Sequence, residues 1–256
     1  MKDEDFAFSR ILELESRSEY GETIEASYFF SYSELRRLLS KLPKKIRESA
    51  FLFGGFDEAE CKCFFFLPSY LDKETFLKDK LYEGYIGCYL IETTNPAYAK
   101  PLSHPSVLGT LMGLGIKRET IGDIYVEPNK AIFFALKSIE KEILSVEKVG
   151  RDAVTVSKIL YEESPIKPRF ETLRITYESN RLDSIVSEAF RISREEAKRQ
   201  IGAGNVYVTN LLSPRPDSVV HPGDHISVKG KGKVIFMEEE GTSRKGKTVA
   251  SIRKPL

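Results

Sequence analysis

"SREEAKRQIGAGNVYV", residues 193–208, packs a helix start, a basic stripe, a glycine stop and a strand into one stretch. Ser193 is an N-cap residue, and Glu196 stands three positions on, where a capping box places its carboxylate. Ile192 before the cap can staple against Ala197, and Ala197 and Ile201 share one helical face. Arg194 and Lys198 lie a turn apart beside that apolar stripe, with Arg199 further round. Gly202 and Gly204 permit left-handed backbone at the helix end, and "NVYV" then begins a strand. The cations are the residues that folding leaves over.

Upstream, "RLDSIVSEAF" (181–190) repeats Leu182, Ile185, Val186 and Ala189 at helical spacing and makes a first helix before the break at Arg191-Ile192. Asp183 reads as a charge at the N-terminus of that helix. Downstream, "HPGDHISV" (221–228) reads as a turn into a strand, followed by "KGKGK". On an extended backbone Lys229, Lys231 and Lys233 project to one side, and with Arg181, Arg194, Lys198 and Arg199 they form one positive face. Residues 181–256 hold 14 Lys and Arg against 9 Asp and Glu, while the other residues hold 25 against 29. A net charge of +1 therefore conceals a basic anion-binding segment on a mildly acidic body.

That body has the composition of folded domains, with 16 Phe and 12 Tyr among 256 residues. No apolar run reaches the ~18 residues of a membrane span, and the acidic start "MKDEDFAFSR" lacks the apolar core of a signal peptide. A cytoplasmic protein without membrane association is expected. Cys61, Cys63 and Cys88 read as ordinary reduced cysteines, since two thiols in C-x-C cannot close a four-ligand zinc site. No metal or cofactor is expected.

Residues 1–78 read as an N-terminal α/β unit. "YSELRRLLSKL" is an amphipathic helix with Leu35, Leu38, Leu39 and Leu42 inside, and two strands flank a turn at Gly54-Gly55. Those glycines lack the remainder of a P-loop, so a simple turn is the better reading. Residues 79–165 alternate strands ("YIGCYLIET", "IGDIYV", "KAIFFAL", "AVTVSKIL") with two helices. The first helix is capped at Ser103, with Leu108, Leu111 and Met112 as its apolar face; the second uses Ile139, Ile143 and Leu144. This pattern suits an RRM-like or ferredoxin-like α/β sandwich. The two prolines in "YEESPIKPRFETL" mark a linker over 166–180. A basic module over 181–240 and a basic tail over 241–256 complete an α+β chain. The tail is either a closing strand with a flexible end or a segment that orders on a partner.

The ordered set "RLD", "SREEA", "GNVYVTN" and "GDHISV" resembles the S4 RNA-binding domain. The resemblance implies a helical pair of the αL type presenting its basic face, with the capping Ser193, to structured RNA. Thr209-Asn210 replaces the usual Asn-Gly; Asn210 can still supply the turn and stays among the RNA-binding candidates. "FGGFDEAECK" (53–62) and "GLGIKRETIGDI" (113–124) resemble the YlmH family of bacterial S4 proteins. Pro105 and Ser106 stand where that family carries Arg and Asp, and Cys61 where it carries Arg, so contacts by those family side chains are not expected. Lys117 and Arg118 are retained, as RNA contacts or as solvated surface.

Similarity to YlmH proteins implies a non-enzymatic factor, acting as a monomer, that binds rRNA of the large ribosomal subunit with peptidyl-tRNA. Its role there is in rescue of stalled ribosomes and tailing of the nascent chain. Two alternatives stand beside it. One is an RNA-modifying enzyme of pseudouridine-synthase type, because "RLD" at 181–183 resembles a catalytic segment of those enzymes. The other is a free tRNA- or RNA-handling chaperone. His104, His221 and His225 form no acid–base or metal constellation.

Overall fold

A computed structural model describes residues 2–167, 170–208, 215–243 and 246–255, without the side chains of residues 2–4, 36 and 255. The chain divides into two compact units, Met1–Lys167 and Pro168–Leu256, both mixing helices with antiparallel sheet. No separate unit ends at residue 78, and the physical reason is a shared core. Phe53, Phe56, Phe65 and Phe76 from the first part pack with Cys88, Ile132 and Phe134 from the second.

The first unit opens with α1 (Lys2–Gly21), β1 (Glu25–Ala26), α2 (Tyr32–Lys41), α3 (Lys44–Ser49), β2 (Ala50–Phe53), β3 (Cys63–Phe66) and α4 (Lys73–Lys78). α2 starts where expected: Ser31 caps it, and the Glu34 carboxylate accepts the Ser31 backbone N–H at 2.8 Å. Strand β3 lies between β1 and β2 and is buried on both faces, as a continuous apolar run requires. Phe64 and Phe66 face Ile11, Leu14, Leu35 and Leu38 of α1 and α2; Cys63 and Phe65 face the opposite way.

The second sheet of this unit comprises β4 (Ile86–Thr93), β5 (Ile121–Glu127), β6 (Lys130–Leu136), β7 (Lys148–Val149) and β8 (Asp152–Ile159), ordered β5-β6-β4-β8-β7 and wholly antiparallel. α5 (His104–Gly113) connects β4 to β5, and α6 (Glu140–Leu144) follows β6. Alternation along β6 serves two cores: Ala131, Phe133 and Ala135 face the α5–α6 side, while Ile132 and Phe134 face the three-stranded sheet. α5 buries Val107 and Leu111 and leaves Met112 exposed, one position off the expected face. Leu144 is likewise exposed, because α6 is a short helix seated on Ile143.

Gly54 and Gly55 are packing positions. A Cβ on Gly54 would meet the Cys61 carbonyl oxygen at 2.2 Å; Gly55 has φ +101° and a Cβ there would strike the Phe134 ring at 2.4 Å. Backbone and ring fill the space that a phosphate cradle would need.

The second unit contains β9 (Phe170–Tyr177), α7 (Leu182–Phe190), α8 (Arg194–Gly202), β10 (Val206–Val208), β11 (His225–Val228), β12 (Gly232–Thr242) and β13 (Thr248–Pro255). Its sheet has the order β10-β11-β12-β13-β9. The expected linker and tail are therefore strands that pair with each other, from Phe170↔Pro255 to Tyr177↔Thr248. Ile175, Tyr177, Ala250 and Ile252 join Leu182, Ile185, Val186, Ala197 and Ile201 in one core, so both segments bury apolar area that a flexible linker or tail would expose.

Candidate nucleic-acid interface

Helix α7 begins at Arg181, which bridges to Val219. Its first free N–H groups are satisfied by the facing segment: Leu182 donates to the Ser218 carbonyl at 2.8 Å and Asp183 to the Pro216 carbonyl at 3.0 Å. Arg191 closes the helix in left-handed conformation (φ 53°), and α8 follows two residues later. Ser193 caps α8 by accepting the Glu196 N–H at 3.1 Å. The reciprocal half of the box does not form: the Glu196 carboxylate turns to Arg199 and accepts Gln200 Nε2 at 2.6 Å.

Between the helices lies a side chain whose position in the sequence suggests no more than a helix-terminal charge. Asp183 is fully buried. Arg181 donates Nε and Nη2 to its two oxygens at 3.2 and 3.3 Å, and Arg194 does the same at 3.2 and 3.3 Å. Lys198 Nζ stands 4.0 Å away. Burial pushes this carboxyl up, but the two guanidiniums outweigh it and hold it below the ordinary carboxylate value. One buried anion thus draws Arg181, Arg194 and Lys198 to a single point while their side chains stay 42%, 42% and 52% exposed. A bidentate fork at each arginine fixes the plane of the guanidinium as well as its place.

Glu178 borders the cluster, 3.9 Å from Arg194 and 3.1 Å from Lys247. Arg199 is exposed on another side of α8 and is paired with Glu196, so it stands apart from the Asp183 cluster. The lysines of "KGKGK" are not carried on one extended strand. β11 and β12 form a hairpin in which Val228 pairs with Gly232, and the turn Lys229-Gly230-Lys231 needs positive φ at Gly230 (76°) and Gly232 (99°). Lys229 and Lys231 are exposed at that tip. Lys233 is half-buried in β12, where burial pushes its ammonium below the ordinary value. Asn210 lies outside the described residues.

Lys117 and Arg118 belong to the other unit and precede β5, exposed beside a turn whose Glu119 carbonyl accepts the Phe29 N–H at 2.8 Å. Asp123, in β5, accepts the backbone N–H groups of Glu60 and Cys61 at 2.7 and 3.0 Å and so ties the double-glycine loop to the strand. Among the described residues no group of His, Cys, Asp and Glu is arranged to hold a metal ion, and no helix is long and apolar enough to cross a membrane.

Residues 86–163, the β4–β8 sheet with its helices, match the family described as "Putative RNA-binding domain in YlmH". Over 199 residues the chain is 28% identical to ribosome-associated protein quality control protein P2 of Bacillus subtilis (strain 168), covering 76% of this chain and 73% of that one. In this segment and over that length the chain is similar to YlmH proteins. The solved structure of cell division protein ylmH from Streptococcus pneumoniae is 18% identical to this chain. That match covers 63% of this chain and 94% of the other, with a TM-score of 0.49. The family's matched segment and the Asp183 cluster fall in different units of the protein.

Proposed function

We propose that this chain is a non-enzymatic, cytoplasmic RNA-binding factor of the large ribosomal subunit. It engages structured rRNA together with peptidyl-tRNA, as a monomer, in rescue of stalled ribosomes and tailing of the nascent chain. In this reading residues 181–240 form an S4 domain and residues 79–165 an RRM-like, ferredoxin-like domain. The observation that carries it is the set of Arg181, Arg194 and Lys198 gathered on Asp183 between α7 and α8. Half-exposed cations held in fixed orientation suit phosphates whose spacing is set by a folded RNA, because shape rather than base sequence dominates recognition of structured RNA. Ser193, Arg199, Lys229, Lys231, Lys233 and Asn210 are further contact candidates of this unit; Lys117 and Arg118 are separate candidates in the other unit. The relative named for ribosome-associated quality control supports the setting.

A pseudouridine-synthase reading is disfavoured by the burial of Asp183, whose oxygens are occupied by two guanidiniums and leave no approach for a base. The test is a Lys198→Gln/Lys229→Glu/Lys231→Glu triple variant, which removes exposed cations and leaves the Arg181 and Arg194 forks on Asp183 in place. It should lose binding to large subunits and to structured rRNA, with circular dichroism unchanged, and its residual binding should show a weaker salt slope. Unchanged affinity and slope reject this face. Sedimentation of the wild-type protein free of ribosomal particles, stalled or not, would point to a free RNA chaperone.

A further inference from the structure

The segment matched to an RNA-binding domain has an unusual constraint: both faces of its sheet are covered. α5 and α6 close one face, and Phe53, Phe56 and Phe65 close the other. Phe134, which would otherwise present its ring to a nucleobase, stacks on Phe56 at 4.9 Å and meets Tyr161 edge-on at 5.3 Å. Base stacking on the open sheet, the usual means for an RRM, is therefore closed in this unit. Any single-stranded RNA it takes must lie elsewhere on its surface.

A concavity of the unit lies between α1, α2 and the segment Ser27–Phe30. A cleft of about 570 Å³ is lined by Phe6, Arg10, Tyr28, Arg37 and Glu119 among others. A second hollow of about 240 Å³ shares Arg10, Ser27 and Tyr28 with it and is also lined by Lys137 and Ser138, so the two adjoin. Exposed rings line the cleft: Phe6 is 70% and Tyr28 40% exposed. Cations line both hollows: Arg37 the first, Lys137 the second, and Arg10 is common to the two. Of the two lining carboxylates, Glu34 is committed to the Ser31 cap, which leaves Glu119. Arg10 is held by Glu13 at 2.7 Å in a partly exposed pair, which a phosphate can replace at little cost.

The aromatic at the junction is anchored from both sides. Buried Ser27 donates its hydroxyl to the Tyr28 carbonyl at 2.7 Å and accepts the Phe64 N–H at 2.8 Å. Phe29 donates to the Glu119 carbonyl at 2.8 Å and Phe30 to the Lys62 carbonyl at 2.9 Å. A ring carried on so constrained a backbone is pre-organised, and binding loses less entropy there. Rings for bases and cations for a phosphate chain are the two parts of a single-strand RNA track.

We propose that this cleft binds an unpaired stretch of RNA, a base stacking on Tyr28 while Arg10, Arg37 and Lys137 take its phosphates. The proposal rests on the RNA-binding reading above and adds a second contact, of different RNA geometry, in the other unit. It also gives the neighbouring Lys117 and Arg118 a setting, since both precede the Glu119 that lines the cleft.

The test uses the full chain and two fluorescent RNAs: a stem-loop, and the same stem-loop with an unpaired tail of about eight uridines, within the usual range of single-strand site sizes. The tail should tighten binding by the wild-type protein. Tyr28→Ala should weaken binding of the tailed RNA about tenfold, and Arg37→Gln/Lys137→Gln by a similar factor, while neither changes binding of the tailless stem-loop. Tails containing 4-thiouridine should crosslink to peptides spanning Phe6–Arg10 or Ser27–Arg37. The Lys198→Gln/Lys229→Glu/Lys231→Glu variant serves as the opposite control, losing the stem-loop and retaining the benefit of the tail. Equal binding of tailed and tailless RNA, or a tail effect that survives both cleft changes, overturns the cleft and leaves the α7–α8 face standing. Wild-type protein that binds neither RNA refutes both. Unchanged circular dichroism and thermal midpoint in the cleft variants exclude loss by unfolding.

Discussion

Replacing Asp183 by Asn is the most direct probe of the second unit. The wild-type carboxylate accepts four N–H donors from Arg181 and Arg194 at 3.2–3.3 Å and is fully buried. Asn is nearly isosteric but neutral, and its amide group points donors at donors. Hydrogen bonds to charged groups contribute about 1.5–3 kcal/mol each, and breaking a buried pair costs about 3–5 kcal/mol. Both guanidiniums are 42% exposed and can rehydrate, so the contributions do not sum. The expected loss is about 2 kcal/mol, which corresponds to about 30-fold faster amide exchange in α7 and α8 when closing outpaces labelling. Peptide-resolved hydrogen exchange on the full chain reads this without assuming two-state unfolding. The pH dependence has a definite sign. The folded carboxyl is held below its ordinary value, so its stabilisation is fully present above the unfolded value of about 3.9 and is lost only as pH falls through the folded one. The gap between wild type and Asp183→Asn should stay constant from pH 7 to about pH 5 and close in stronger acid. Exchange in α7 and α8 altered less than threefold, or a gap that closes near neutrality, would refute this account of the cluster.

The remaining predictions concern the first unit. Gly55→Ala sets a Cβ 2.4 Å from the Phe134 ring at a φ of +101°, and should cost about 2 kcal/mol or more in urea unfolding. Full tolerance would mean the loop moves freely. Burial, reinforced by Asp123, pushes the Cys61 thiol up to about 12, so iodoacetamide at pH 8 should leave it unmodified by mass spectrometry until denaturant is added. The same holds for Cys88, pushed up to about 12 mainly by burial.

Local pattern accounts for much of the fold. Apolar residues three and four apart place α2, α7 and α8, and continuous or alternating apolar runs place β3, β4, β6 and β8. The cap at Ser193 is readable from its hydroxyl alone; the fate of Glu196 is not, because Arg199 and Gln200 compete for the same carboxylate one turn on. α1 leaves a weak signal because its apolar residues do not keep to one face: Ile11 and Leu14 are buried while Phe6 is 70% exposed, and the buried face continues to the polar Ser18.

Where the cations are, which helix faces are apolar and which family motifs the chain carries are all settled by residues within a few positions of one another, and so by sequence. That β9 and β13 close one sheet emerges only on folding, because strand pairing joins backbone groups far apart in the chain and two prolines mask the first of them. Folding likewise makes Gly230 and Gly232 turn the lysine run into a hairpin tip instead of a stripe. The role of Asp183 has the same origin. A carboxylate's partners are whichever donors the fold brings within about 3 Å, and eleven residues separate Asp183 from the Arg194 that its burial requires.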